Sequence, residues 1–398
     1  MIAFIDTEIE PVKGKVLDIG GIREDGGQFH SGVISEFVDF LKGTSFVCGH
    51  NIVNHDMKYV GHAVRDAGIT EVIDTLYLSP LMFPARPYHS LIKDDKLQSD
   101  DLNNPLNDSI KTRDLFYDEA EAFRKTDDML KEIYFHLLKD HREFRSFFKY
   151  TGYTVDTPFH LSTEQQLEEI ETLIHTRFLF KICENVRLTD MIRDNPVELA
   201  YCLALIDTGD RSSITPPWVL KNYPAVDSLM YLLRDRPCIT GCAYCNEALD
   251  IHGALKKFFG YDSFRTYAGA PLQEQAVRAA IEQKSFLAIF PTGGGKSITF
   301  QLPALMSGNN TRGLTVVISP LQSLMKDQVD NLEKLNITEA VTINGLLNSI
   351  ERAKAIERVE NGSASILYIA PELLRLKTVE NLLLGRKIVR FVIDEAHC

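Results

Sequence analysis

The seven residues Pro291-Thr292-Gly293-Gly294-Gly295-Lys296-Ser297 restrict the fold of this chain more than any other stretch. They follow the apolar run Phe286-Leu287-Ala288-Ile289-Phe290, which predicts a buried strand, and they precede helix-compatible residues 298–302. A strand, a glycine loop and a helix in that order form a phosphate cradle. Glycines let the backbone curl until several N–H groups point at one anion, and the helix N-terminus adds its positive dipole end. Lys296 is placed to neutralise the β- and γ-phosphates, and the Ser297 hydroxyl to hold Mg²⁺. The plainer reading, a flexible glycine turn, does not explain why Lys-Ser follows at once.

About a hundred residues later a second apolar run, 388–393, predicts a strand that delivers Asp394-Glu395-Ala396-His397 at its tip. Asp394 is expected to hold Mg²⁺ through water, and Glu395 to orient and deprotonate the attacking water. Between the two motifs, residues 316–319 read as a strand running into Pro320-Leu321-Gln322, and Ile366-Leu367-Tyr368-Ile369-Ala370-Pro371-Glu372 follows later. Strands and helices also alternate over the first segment, 1–123, a rhythm that predicts an α/β domain.

These motifs, with Gly260-Tyr261-Asp262-Ser263-Phe264-Arg265 and Gln273 ahead of them, resemble the RecQ family of DNA helicases over about residues 258–398. The resemblance implies a P-loop, RecA-like ATP-binding domain that unwinds DNA in the 3′-5′ direction, with ATP and Mg²⁺ as cofactors. Its DNA partners would be single strands and forked duplexes, in repair or recombination. By the same resemblance Gln273 reads the adenine edge, with Gln275 as a weaker choice, and Thr292, Gly293, Gly294, Gly295, Lys296, Ser297 and His397 line the nucleotide. Ser319, Gln322 and Lys326 are its DNA-backbone candidates, Lys326 being equally a solvated helix charge. Such a motor also needs a second RecA-like domain that carries arginines to the ATP. The chain therefore reads as the N-terminal part of a helicase, expected to bind ATP but to turn it over slowly and not to unwind DNA.

The N-terminal part predicts strands at 2–6, 16–23 and 46–48 and helices at 36–41 and 57–67. The first strand ends in Asp6-Thr7-Glu8, and alternation puts the two acids on one side, able to share metal ions. Then come His50-Asn51-Ile52-Val53-Asn54-His55-Asp56, Asp74-Thr75-Leu76 and Asn103-Asn104-Pro105-Leu106-Asn107-Asp108. This order resembles the DnaQ-like 3′-5′ exonucleases of the ribonuclease-H-like fold. The resemblance makes Asp6, Glu8, Asp56 and Asp108 ligands of two divalent ions, which would activate a water and stabilise the leaving oxygen. Two positions depart from that pattern: His55 replaces the usual Phe, and Asn103 replaces the histidine base. His89 lies nearby in sequence. A fold kept for DNA binding without cleavage is the alternative, as is a set of ordinary strand-end and helix-cap acids.

Three cysteines cluster as Cys238, Cys242 and Cys245 in a chain of seven cysteines with no signal-peptide pattern. Reduced thiols or a metal site fit that usage better than disulfides. Structural zinc with His252 as fourth ligand is one reading, because seven residues are about two helical turns. Unliganded buried thiols are another, and the spacing also resembles that of radical-SAM iron–sulfur sites, which require a surrounding barrel for which the helicase motifs leave no room.

A length of 398 residues implies two or three domains. The expected division is an exonuclease-like domain at 1–125, a mainly helical region with the cysteine cluster at 126–250, and the motor half at 251–398. Helices are expected over 120–141 and 163–183, the latter opened by a Ser162 to Gln165 capping box, and over 254–259; residues 207–223 read as a linker. The net charge of −12 argues against a simple nucleic-acid coat. From Pro271 onward, however, 14 Lys and Arg face 13 Asp and Glu, so the motor segment is near neutral. No apolar run reaches the roughly 20 residues of a membrane-spanning helix, which leaves a cytoplasmic, nucleoid-associated address as the expectation.

Overall fold

The computed structural model describes residues 1–91, 104–155, 162–210, 212–291 and 293–396. The chain divides into two compact units, Met1–Pro84 with His89–Gln166, and Ala85–Tyr88 with everything from Leu167 onward.

The first unit is built on a mixed five-stranded sheet of order β3-β2-β1-β4-β5, with β1 (Ile2–Ile9), β2 (Val16–Arg23), β3 (Gln28–His30), β4 (Phe46–Gly49) and β5 (Glu71–Asp74). β2 runs antiparallel to both β1 and β3, while β4 and β5 run parallel to β1. The parallel connections carry α1 (Ile34–Leu41) and α2 (Met57–Asp66), and α3 (Thr75–Met82) follows β5 directly. Alternation along β1 sends Ala3 and Ile5 into a core with Phe37, Leu41, Val60 and Val64 of α1 and α2. Phe4 points to the other face, where it meets Phe116 of α4 (Pro105–Lys125) with ring centroids 5.6 Å apart. α5 (Asp128–Leu138) and α6 (Arg142–Thr151) complete this face. Glu71 of β5 accepts hydrogen bonds from Ser146 (2.9 Å) and Lys149 (2.6 Å), which fastens α6 to the sheet. The segment expected as one helical stretch over 120–141 is thus the end of α4 and the whole of α5, broken where Thr126 closes one helix and Asp127 caps the next.

The second unit begins with helices α7 (Thr163–Arg177), α8 (Thr189–Asp194), α9 (Pro196–Thr208), α10 (Pro217–Asn222), α11 (Ala225–Arg234), α12 (Ala243–Ala248) and α13 (Ile251–Phe259). The expected capping box is formed: Ser162 N–H donates to Gln165 Oε1 at 2.8 Å, and Gln165 N–H to Ser162 Oγ at 3.3 Å. α14 (Leu272–Ile281) and α15 (Ile298–Thr311) lead into a parallel sheet of order β7-β8-β6-β9, made of β6 (Leu314–Ile318), β7 (Ala340–Ile343), β8 (Ile366–Ile369) and β9 (Ile388–Ile393). α16 (Gln322–Glu333), α17 (Ser349–Glu360) and α18 (Lys377–Leu384) fill the crossovers. Each face of the sheet has its own core, one with Leu302, Met306, Val317 and Tyr368, the other with Val316, Val341, Val359 and Leu367. Burial on both faces is why β8 reads as an uninterrupted apolar run rather than an alternation.

The strand expected at 286–290 is corrected here. Residues 286–290 pair with no strand among the described residues, and Leu287 and Ile289 are 78% and 82% exposed. An apolar run marks a segment that favours burial, but a strand forms only where a neighbour completes its hydrogen bonds. The helical region expected to stand apart at 126–250 is divided between the units. Its later part is bonded to the motor: buried Asp235 accepts from Ser307 Oγ (2.8 Å) and Asn310 Nδ2 (3.3 Å) of α15, and Lys387 Nζ reaches Asp227 O at 2.8 Å.

Candidate functional site

Parallel sheets present their ligand sites beyond the carboxyl ends of the strands, and the motor motifs collect there. Asp394 follows β9 and its N–H donates to Ile318 O at the end of β6 (2.9 Å), while Ser319 N–H donates to Ile369 O at the end of β8 (3.1 Å). Gln322 Nε2 donates to Glu372 Oε1 at 3.2 Å, tying together the two loops expected to meet DNA.

The glycine loop crosses from residue 291 into α15, with Ser297 at the helix N-cap. Gly293 and Gly295 both stand at φ 72°, a left-handed conformation that glycine adopts without strain. Three consecutive carbonyls of the loop are held by the segment ahead of it: Gly293 O accepts from Arg265 Nη1 (3.0 Å), Gly294 O from the Tyr267 hydroxyl, and Gly295 O from Gln273 Nε2 (2.9 Å). Because C=O and the following N–H point in opposite directions across a planar peptide, fixing these carbonyls turns the amides of Gly295 and Lys296 the other way. An anion-binding loop needs that orientation.

Gln273 is 2% exposed, and its Oε1 also accepts from Arg265 N at 2.8 Å. Both groups of the amide expected to face an adenine edge are thus engaged here, one by Arg265 and the other by the loop. A Cβ at Gly295 would lie 3.0 Å from Gln273 Nε2, whereas one at Gly293 would meet nothing within 4 Å. Gly295→Ala combines a left-handed backbone with that collision, roughly 1–3 kcal/mol in all. It is expected to weaken nucleotide binding about tenfold or more, measured by titration with a fluorescent ATP analogue, and Gly293→Ala to weaken it less.

Lys296 Nζ forms an ion pair with Glu395 and lies 3.3 Å from Asp394 Oδ1. The hydrogen bond that Lys296 donates to Glu395, then the charge of Asp394, raise the Lys296 pKa above its ordinary value, so the side chain is cationic. Asp394 is buried and its Oδ1 accepts from Glu395 N at 3.1 Å; Glu395 takes a positive φ of 52°. One cation and two carboxylates thus converge beside the Ser297 helix cap, and hard oxygen donors of this kind fit Mg²⁺. Of the expected nucleotide residues, Thr292 and His397 lie outside the described residues.

In the first unit, Asp6 and Glu8 share the face of β1 that meets α4. Asp6 stands opposite Gly20 in the β1–β2 register, and a Cβ on Gly20 would lie 2.0 Å from the Pro105 carbonyl carbon. The missing side chain lets the first turn of α4, which holds Asp108, press against the strand beside Asp6. Asn104 caps that helix, accepting from Leu106 N (3.0 Å) and Asn107 N (3.4 Å). Asp108 lies 3.7 Å from Lys111.

Asp56 goes elsewhere. It is 1% exposed, and its Oδ1 accepts from both the N–H (2.9 Å) and the hydroxyl (2.7 Å) of Thr7, on the opposite side of β1 from Asp6 and Glu8. Burial pushes its pKa up to about 6, against the pull of the Thr7 bonds. Among the described residues, Asp6, Glu8, Asp56 and Asp108, the expected four-carboxylate set, do not form a group with all ligand atoms within 4.8 Å. Asp74, fully buried, accepts from Asn51 N, Val53 N and Leu76 N, and so shapes the loop that leads to Asp56. Asn103, the departure from the exonuclease pattern, lies outside the described residues. His89 is buried against Ser79 Oγ (2.9 Å), and His55 is exposed beside Tyr59.

The one group of three or more metal-capable side chains within 4.8 Å among the described residues is Cys183, Cys238, Cys242 and Cys245. His252 is not part of it. Asp250 caps a new helix, α13, by accepting from His252 N and Gly253 N, so Cys245 and His252 sit on different helices and the two-turn spacing does not apply. The His252 ring instead faces Glu274 Oε1 at 3.3 Å. Cys183, 55 positions before Cys238, carries no local signal of its own. Arg265 and Tyr267 likewise carry no local signal of their role as loop braces, although Arg265 belongs to a motif noted in the sequence.

Residues 270–398 match the DEAD/DEAH box helicase family. The chain is 38% identical over 155 residues to ATP-dependent DNA helicase Q5 of Rattus norvegicus, covering 37% of this chain and 15% of that protein. It is 43% identical over 147 residues to ATP-dependent DNA helicase RecQ of Bacillus subtilis, covering 36% and 23%, and 36% identical over 143 residues to ATP-dependent helicase SGS1 of Saccharomyces cerevisiae, covering 35% and 10%. The chain thus spans less than a quarter of the length of each of these relatives. The segment that holds the glycine loop and the Asp394-Glu395 pair thus matches the DEAD/DEAH box helicase family and is similar, over about the same residues, to the RecQ helicases.

Proposed function

We propose that this chain supplies the ATP-binding half of a RecQ-like, ATP-driven DNA helicase, joined to an exonuclease-like domain that engages DNA ends. The observation that carries the motor reading is Lys296 bridging Asp394 and Glu395 at the mouth of a loop whose carbonyls are tied back. When ATP enters, its γ-phosphate replaces the carboxylates as the partner of Lys296, which frees Glu395 to take a proton from the attacking water. Ser297 and Asp394 would hold Mg²⁺, which supplies neutralising charge at the phosphates. Single-stranded and forked DNA are the proposed partners, read across the linked Gln322 and Glu372 loops, with repair or recombination as the setting. Within this reading Glu395→Gln keeps ATP affinity and lowers turnover about 10²–10⁴-fold. Equilibrium binding and phosphate release measured on the same variant test it, and turnover at the wild-type rate would remove Glu395 as the base.

A second reading applies to the first unit alone. The position of Asp56 against Thr7, away from Asp6 and Glu8, favours a fold that grips DNA without cutting it. The placement of Asp108 beside Asp6 through Gly20 supports the exonuclease instead. Digestion of a 3′-labelled oligonucleotide separates the two.

A further inference from the structure

The cysteine cluster lies outside the ATP and exonuclease sites. Its four sulfurs come from three places: Cys183 in the turn after α7, Cys238 in the loop after α11, and Cys242 with Cys245 at the start of α12. All lie within 4.8 Å of one another, and three of the four residues are buried. A single tetrahedral ion with Zn–S bonds of about 2.3 Å sets its ligand sulfurs roughly 4 Å apart. An iron–sulfur cube would hold them further apart, because the cluster itself stands between the sulfurs.

The surroundings are those of a thiolate site. Asn185 Nδ2 donates to Cys238 Sγ (3.3 Å) and to Thr240 Oγ1 (3.0 Å), and Cys245 N–H donates to Cys242 Sγ (3.4 Å). Outer donors of this kind orient ligands and support their charge. Gly241, at φ 73°, turns the chain between Cys238 and Cys242, and Leu249, Tyr244 and Val186 pack an apolar shell around the sulfurs.

The cluster also touches the motor. Asn310, near the C-terminal end of α15, donates to Ala248 O at the end of α12 (3.2 Å) and to Asp235, just before the cysteine loop. Ser307 of the same helix donates to Asp235 as well. α15 starts at the glycine loop, so the cysteine module holds the far end of the helix whose near end faces the phosphates. From α12 the chain passes through α13 into Arg265, Tyr267 and Gln273, which brace the loop.

We propose that Cys183, Cys238, Cys242 and Cys245 bind one structural zinc ion, and that this ion fixes α12 and α13 against α15 and so steadies the glycine loop. Zinc binding needs thiolates, so loading displaces protons from the cysteines to solvent and involves no change of oxidation state.

The test is metal analysis of the full 398-residue chain purified without chelator, beside Cys183→Ser, His252→Ala and Asn185→Ala. One zinc per chain is expected in the wild type and in His252→Ala, none in Cys183→Ser, and about 10- to 100-fold weaker retention against a chromogenic chelator in Asn185→Ala. Stripping zinc from the wild type, which keeps the test open if Cys183→Ser does not fold, is expected to lower the melting temperature by about 5 °C or more. It should also weaken binding of the ATP analogue, and added zinc should restore both. Metal-free wild type, an iron–sulfur absorption band, or full zinc in Cys183→Ser would overturn the site. An unchanged melting temperature and ATP affinity after stripping would overturn the bracing role.

Discussion

Lys296→Ala is expected to lower ATP turnover by about 10²–10³-fold, the effect of removing one preorganised charge from a phosphate site. The structure adds a second consequence. Lys296 is the cation between Asp394 and Glu395, and Asp394 is buried. Removing it leaves two carboxylates side by side where a nucleotide's phosphates must arrive, so ATP affinity falls along with turnover. A Glu395→Gln, Lys296→Ala double variant separates the two contributions: if repulsion matters, the double variant binds ATP more tightly than Lys296→Ala alone. Binding is measured by titration and turnover by phosphate release, and a Lys296→Ala chain with wild-type values of both would refute the assignment of the loop.

In the first unit, Asn103→His is expected to accelerate digestion of single-stranded 3′ ends, by up to about 10²–10⁴-fold, the usual contribution of a positioned general base. An amide accepts no proton at neutral pH, whereas imidazole titrates near 6.5. The acceleration requires that Asp6, Glu8, Asp56 and Asp108 gather on metal ions, which means that Asp56 exchanges its Thr7 partners for a cation. Single-turnover digestion in Mn²⁺ by wild type, Asn103→His and Asp6→Ala reads this directly. Brisk cleavage by wild type that Asn103→His leaves unchanged would point to another base such as His55. Inertness of all three would make the unit a DNA-gripping domain.

The sequence by itself determined the elements whose information is local. β2 and β9 have the spans expected from their apolar patterns, and the Ser162–Gln165 capping box is made of residues three apart. The glycine loop and the Asp394-Glu395 pair announce their chemistry because that chemistry requires particular residue types at adjacent positions. Tertiary structure decided whatever depends on a distant partner. Residues 286–290 have a strand's composition but pair with no strand among the described residues, and Gln273 is engaged by Arg265 and Gly295, 8 and 22 positions away. Asp56 follows Thr7, 49 residues earlier, to the opposite side of β1 from Asp6 and Glu8. Cys183 replaces His252 in the cysteine cluster because Asp250 starts a new helix, and helical spacing counts only within one helix. Side-chain type and spacing encode what a segment can do alone; which groups meet is settled by packing, and one hydrogen bond or one helix cap is enough to redirect a carboxylate or a ligand.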